Sequence, residues 1–223
     1  MSANDKFPDL VRLTVLRQIP QVLARYNAEG FIKPIDPNEH MLNASQFIYP
    51  MAYFYKTKFS GNPYFGDESI LHKIIAMGDF VAIRTRRDGK VQASRKGFDG
   101  SYLAQRTLIF WLEAFALIKR DLAAAQRRRW EAAMKRTLQG LADKLTGFMS
   151  QARFHSQSFY TGPNHVSLYA AALYTGAAAF KHRPWQRLAF KFAERFAESQ
   201  NPEGYWPEHN GPVSNYNSVS LAG

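Results

Sequence analysis

Apolar positions recur along this chain at intervals of three and four residues rather than every second residue, a pattern that predicts helices. Leu10, Leu13, Leu16, Ile19, Val22 and Leu23 mark an amphipathic opening segment over residues 8–26, which Pro20 is expected to kink or divide. Residues 27–40, with Gly30, Pro34 and Pro37, read as a connector. The aromatic run from Phe47 to Tyr55 is taken as a helix, because Pro50 falls near its first turn and Ala44-Ser45 offers a cap. A turn at Gly61-Asn-Pro-Tyr-Phe-Gly66 leads to Asp67, placed to cap a helix carrying Ile70, Leu71, Ile74, Ile75 and Met77 on one side. Residues 84–99 are basic with an Asp88-Gly89 turn and read as a solvated loop or small β-hairpin, with a lip for an anionic ligand as the sharper alternative.

The same alternation then repeats. A helix from Tyr102 to Lys119 is followed by one from Asp121 through Trp130, Met134, Leu138, Leu141 and Leu145. The alanine-rich Val166–Phe180 is followed by Trp185–Ser199. Hairpin starts near residues 45, 102 and 165 lie about sixty residues apart, and a fourth start is expected at Tyr216, a period that points to stacked helical hairpins. Ala170, Ala171, Ala172, Gly176, Ala177, Ala178 and Ala179 allow close approach of neighbouring helices, as an inner ring requires. The expected fold is therefore all-α, with antiparallel hairpins forming an incomplete (α/α) toroid over residues 41–223, preceded by an N-terminal helix and connector over 1–40. A closed toroid at this period needs roughly twice the length, so the chain reads as the front portion of a longer protein or of an open partial ring.

Composition narrows the partners. Lys and Arg number 29 against 18 Asp and Glu, a formal charge of +11, which favours polyanions: an acidic polysaccharide, nucleic acid or anionic lipid. There is no cysteine, so disulfides and thiolate-held metals are excluded. No cofactor or metal is expected. Asp5, Lys6, Arg12 and Arg17 interrupt the first twenty residues, so no signal-peptide core is present. No run of about 18 apolar residues could span a bilayer, and no membrane association is expected. The chain reads as cytoplasmic, or as periplasmic or secreted if a leader is missing.

The candidate chemistry lies in two short stretches. Gly162-Pro-Asn164-His165 opens one helix, and Gly204-Tyr205-Trp206-Pro-Glu208-His209-Asn-Gly-Pro212 with Tyr216 follows a hairpin later. Together they resemble the α/α-toroid polysaccharide lyases, the group of alginate lyases, heparinase II/III-like and chondroitin AC lyase-like enzymes. That resemblance implies β-elimination on uronic acids by an Asn, a His and a Tyr. Asn164, His165 and Tyr216 fit the alginate-lyase arrangement, whereas Asn164, His209 and Tyr216 fit the chondroitinase one with a shorter His-to-Tyr spacing.

The chemistry itself explains the residue types. Removing the C5 proton of a uronate requires neutralising its carboxylate, which an amide and an imidazole can do through hydrogen bonds. A base must take the proton and an acid must protonate the departing oxygen, work suited to His and Tyr. Tyr205, Trp206 and Glu208 are candidate substrate contacts. Each residue also has an ordinary structural use: Asn164 as N-cap of a helix starting at Val166, His165 as a first-turn residue, Glu208 and His209 as loop ties, Tyr216 as a core aromatic. Two alternatives remain: a glycoside hydrolase on the same architecture, which needs a carboxylate partner for Glu208, and a basic helical-repeat scaffold binding nucleic acid or protein, for which Arg127-Arg128-Arg129 is the clearest feature.

Overall fold

The computed structural model describes residues 3–26, 45–95, 98–150, 163–200 and 202. The connector expected over 27–40 and the stretch from 203 to 223, with Tyr205, Trp206, Glu208, His209, Tyr216 and the expected fourth helix, lie outside the described residues. Among the described residues, seven α-helices account for more than half of the chain: α1 (Ala3–Ala24), α2 (Ile48–Lys56), α3 (Glu68–Arg84), α4 (Gln105–Ile118), α5 (Ala124–Met149), α6 (Pro163–Phe180) and α7 (Arg183–Glu198). Between α3 and α4 an antiparallel ribbon pairs β1 (Val91–Arg95) with β2 (Phe98–Tyr102), the only sheet among the described residues. The all-α expectation holds.

Local chemistry sets most of the boundaries. Asp67 caps α3 as expected, its carboxylate accepting the Ser69 N–H at 2.8 Å. Hydrogen bonding from the Ser69 side chain above all, and then from the Ser69 and Ile70 backbone N–H groups, holds the Asp67 carboxyl below the usual carboxylate range. The Asp88-Gly89 turn closes with the Arg86 N–H donating at 2.9 Å to the Lys90 carbonyl, and Gly89 takes a φ of 78° that a side chain would strain. The chain there also runs against α5, where a Cβ on Gly89 would stand 2.3 Å from the Arg136 carbonyl oxygen.

Three expectations need correction. Pro20 does not divide the first helix: α1 runs unbroken to Ala24, with Ile19 and Val22 buried on either side of an exposed Pro20, so core packing offsets the one backbone hydrogen bond proline removes. Ser45 does not cap α2; it begins a short 3₁₀ turn (Ser45–Phe47), and the N-cap position falls to Phe47, whose side chain makes no capping bond. Helix α4 starts at Gln105 rather than Tyr102, because residues 98–102 are committed to the ribbon.

The hairpins α2–α3, α4–α5 and α6–α7 stack in two rows. The first helices pack in succession, α2 on α4 and α4 on α6, and so do the second helices, α3 on α5 and α5 on α7. Within the first row the helices run in the same direction. Tyr49 meets Phe110, Lys56 reaches Asp121 just past the end of α4, Gln105 bonds His165, and Phe115 meets Phe180. In the second row Asp79 accepts the Trp130 indole N–H at 2.7 Å and also pairs with Arg129, while Arg195 donates to the Met149 carbonyl. Small residues permit the close approaches between elements. A Cβ on Gly176 of α6 would stand 2.3 Å from a methyl of Leu138 on α5. The buried pair Trp111 and Trp130, ring centroids 5.5 Å apart, fills the space between α4 and α5.

Candidate functional site

The row arrangement brings the N-terminal ends of α4 and α6 together, and His165 sits at that junction. Helix α6 begins at Pro163, whose fixed φ suits the first helical position. Asn164 therefore stands inside the first turn and is not the cap of a helix starting at Val166. His165 follows it and Tyr169 lies one turn further on, so the two share a face.

The Gln105 amide nitrogen of α4 lies 2.8 Å from His165 Nδ1. Gln105 is only 5% exposed, so this contact is built into the packing and is not a passing surface encounter. His165 as a whole is exposed, yet enough protein crowds its ring for partial burial to be the main cause of a lowered imidazole pKa. The positive charges of Arg106 and Lys144 lower it further. All three influences favour the neutral ring.

Lys144, on α5, is held in turn. Its ammonium donates to the Tyr169 hydroxyl oxygen at 3.0 Å and lies 4.6 Å from the centre of the Tyr169 ring. The cluster thus draws on three helices: Gln105 and the exposed Arg106 from α4, Lys144 from α5, His165 and Tyr169 from α6. Two cations and two helix N-terminal ends favour a negatively charged group at this end.

Of the residues expected from sequence, the structure places Asn164 and His165 side by side in the first turn of α6. Tyr205, Trp206, Glu208, His209 and Tyr216 lie outside the described residues, so their meeting with His165 is not described. Gln105, Arg106, Lys144 and Tyr169 were not foreseen. The sixty-residue period marks Gln105 as the counterpart of His165, and the four-residue spacing marks Tyr169, but neither signal says that these side chains converge. The Arg127-Arg128-Arg129 triplet is a solvated face, with Arg129 engaged by Asp79.

Among the described residues no group of three or more His, Asp or Glu is arranged to hold a metal, and no helix is long and apolar enough to cross a membrane. The chain matches no family model, no curated protein and no solved structure.

Proposed function

We propose that this protein is a carbohydrate-active enzyme, an (α/α)-toroid polysaccharide lyase that cleaves a uronate-containing chain by β-elimination. One arrangement carries the reading: the buried Gln105 amide meets His165 at the adjoining N-terminal ends of α4 and α6, where the positive charges of Arg106 and Lys144 act on the same ring. The two rows of hairpins, first helices on first helices and second on second, are the packing an arc of such a toroid requires.

In this reading the uronate carboxylate is held by His165 and Asn164, with Arg106 and Lys144 offsetting its charge. The C5–H bond then breaks, its electron pair forms the C4–C5 double bond, and the C4–O bond breaks with the oxygen leaving protonated. Charge that develops beside the carboxylate in the transition state meets fixed positive groups, which is where such groups accelerate a reaction. Tyr216, in the role its resemblance implies, takes the C5 proton and supplies one to the leaving oxygen. His209 is the second candidate for proton transfer, and Tyr205, Trp206 and Glu208 contact the sugar chain.

The test is incubation with alginate, heparan and chondroitin-type chains, followed by far-ultraviolet absorbance of unsaturated uronyl ends. New absorbance is expected with at least one of them, and Tyr216→Phe should reduce its rate by about two orders of magnitude or more. Absence of product with every uronate polymer, together with nucleic-acid binding that falls steeply with salt, would replace the lyase by a basic scaffold.

A further inference from the structure

An amide nitrogen carries hydrogens and no available lone pair, so where Gln105 Nε2 meets His165 Nδ1 at 2.8 Å the amide donates and the ring nitrogen accepts. A neutral imidazole accepting at Nδ1 carries its one proton on Nε2. We infer that Gln105 is a positioning residue that locks His165 in its Nε2–H form, so that the ring offers an N–H donor to an anionic ligand and withholds a basic nitrogen from a carbon acid.

The surroundings of both residues support this assignment. Gln105 is almost wholly buried at the first residue of α4, and its backbone N–H donates to the Leu103 carbonyl at 3.0 Å. Its amide is therefore presented from a fixed place. The charged groups acting on His165 come from both neighbouring helices, Arg106 on α4 and Lys144 on α5, and they oppose a second proton on the ring. Only the neutral ring can accept at Nδ1, so the field and the hydrogen bond favour one and the same protonation state. Gln105 and His165 lie 60 residues apart, in different hairpins, so docking of the third hairpin on the second sets the tautomer.

The inference rests on the proposed function only in taking the ligand to be a carboxylate; the tautomer is measurable without turnover. The experiment records imidazole nitrogen-15 shifts on the full chain labelled at histidine, with His165 assigned by its loss in His165→Gln. Near neutral pH a protonated Nε2 and an unprotonated Nδ1 are expected. In Gln105→Glu the carboxylate can only accept, so Nδ1 should become protonated and D-glucuronate should bind more weakly by about tenfold or more. A protonated Nδ1 in the wild-type chain overturns the inference, as does a Gln105→Glu variant with unchanged shifts and unchanged D-glucuronate affinity. Should that variant fail to fold, the wild-type spectrum decides alone. The expected tautomer in a protein that yields no unsaturated product would preserve this inference and remove the lyase.

Discussion

Replacing Gly78 by alanine tests the packing of the second row directly. A Cβ at this position would stand 1.9 Å from Cζ2 of Trp130 and 2.3 Å from Cη2, far inside contact distance. The indole cannot yield easily: it is completely buried, its N–H is fixed on Asp79 at 2.7 Å, and Trp111 and Phe115 lie against it. Overpacking of this kind costs about 1–3 kcal/mol, and a rigid, pinned ring belongs at the upper end. Alanine's better helix propensity returns about 1 kcal/mol, leaving a net loss of about 2 kcal/mol. Gly147 provides the control. A Cβ there meets nothing within 4 Å, so the identical substitution near the end of α5 should stabilise by up to about 1 kcal/mol. Urea unfolding of the two variants should give midpoints displaced in opposite directions at similar m-values. Thermal midpoints should move the same way, by about 2–4 °C for each kcal/mol in a chain of this size. Equal stabilisation by both substitutions would refute the packing of α3 against Trp130.

Three further outcomes follow from named contacts. Asp67→Ala removes the cap of α3 and should cost about 1 kcal/mol in urea unfolding; because the carboxyl is held below its ordinary value, that contribution should persist above the unfolded-state pKa and disappear as pH falls through the folded one. The His165 pKa is lowered on folding, so the unfolded chain binds the extra proton first, and stability should fall as pH drops below the ordinary histidine range; a His165→Gln variant should show a shallower decline in the same titration. Burial pushes the Tyr26 phenol up to about 12, and its hydroxyl donates to the Lys73 carbonyl at 3.2 Å. Its stabilisation should therefore be complete below about pH 10 and be lost as pH rises toward 12, with Tyr26→Phe costing about 1 kcal/mol near neutrality.

The helices were largely legible because their burial is periodic: Ile70, Leu71, Ile74 and Met77 on α3, and Leu138, Leu141 and Leu145 on α5, are core positions read from spacing alone. Local rules failed where tertiary packing decided. Pro20 breaks a helix in isolation, but Ile19 and Val22 anchor both sides of it, and Tyr102 continues a helical pattern that strand pairing overrides. The site was legible in part for a related reason. His165 stands in a distinctive local stretch, whereas Gln105, Arg106 and Lys144 acquire meaning only through contacts between helices far apart in the chain.

The stacking of units, each leaning chiefly on its neighbours, has a consequence for how this protein loses its site. In such a quasi-one-dimensional array stability is divided into intrinsic terms and interface terms, and one interface can open while units away from it stay folded. The Gln105–His165 bond and the Lys144–Tyr169 bond both cross from the second hairpin to the third. Opening that one interface would therefore dismantle the cluster at a free energy below that of global unfolding. Amide exchange along α6 and α7 would record the opening while α3 remained protected. The cluster and the rest of the fold would then melt at different temperatures, with the gap between them measuring the strength of a single seam.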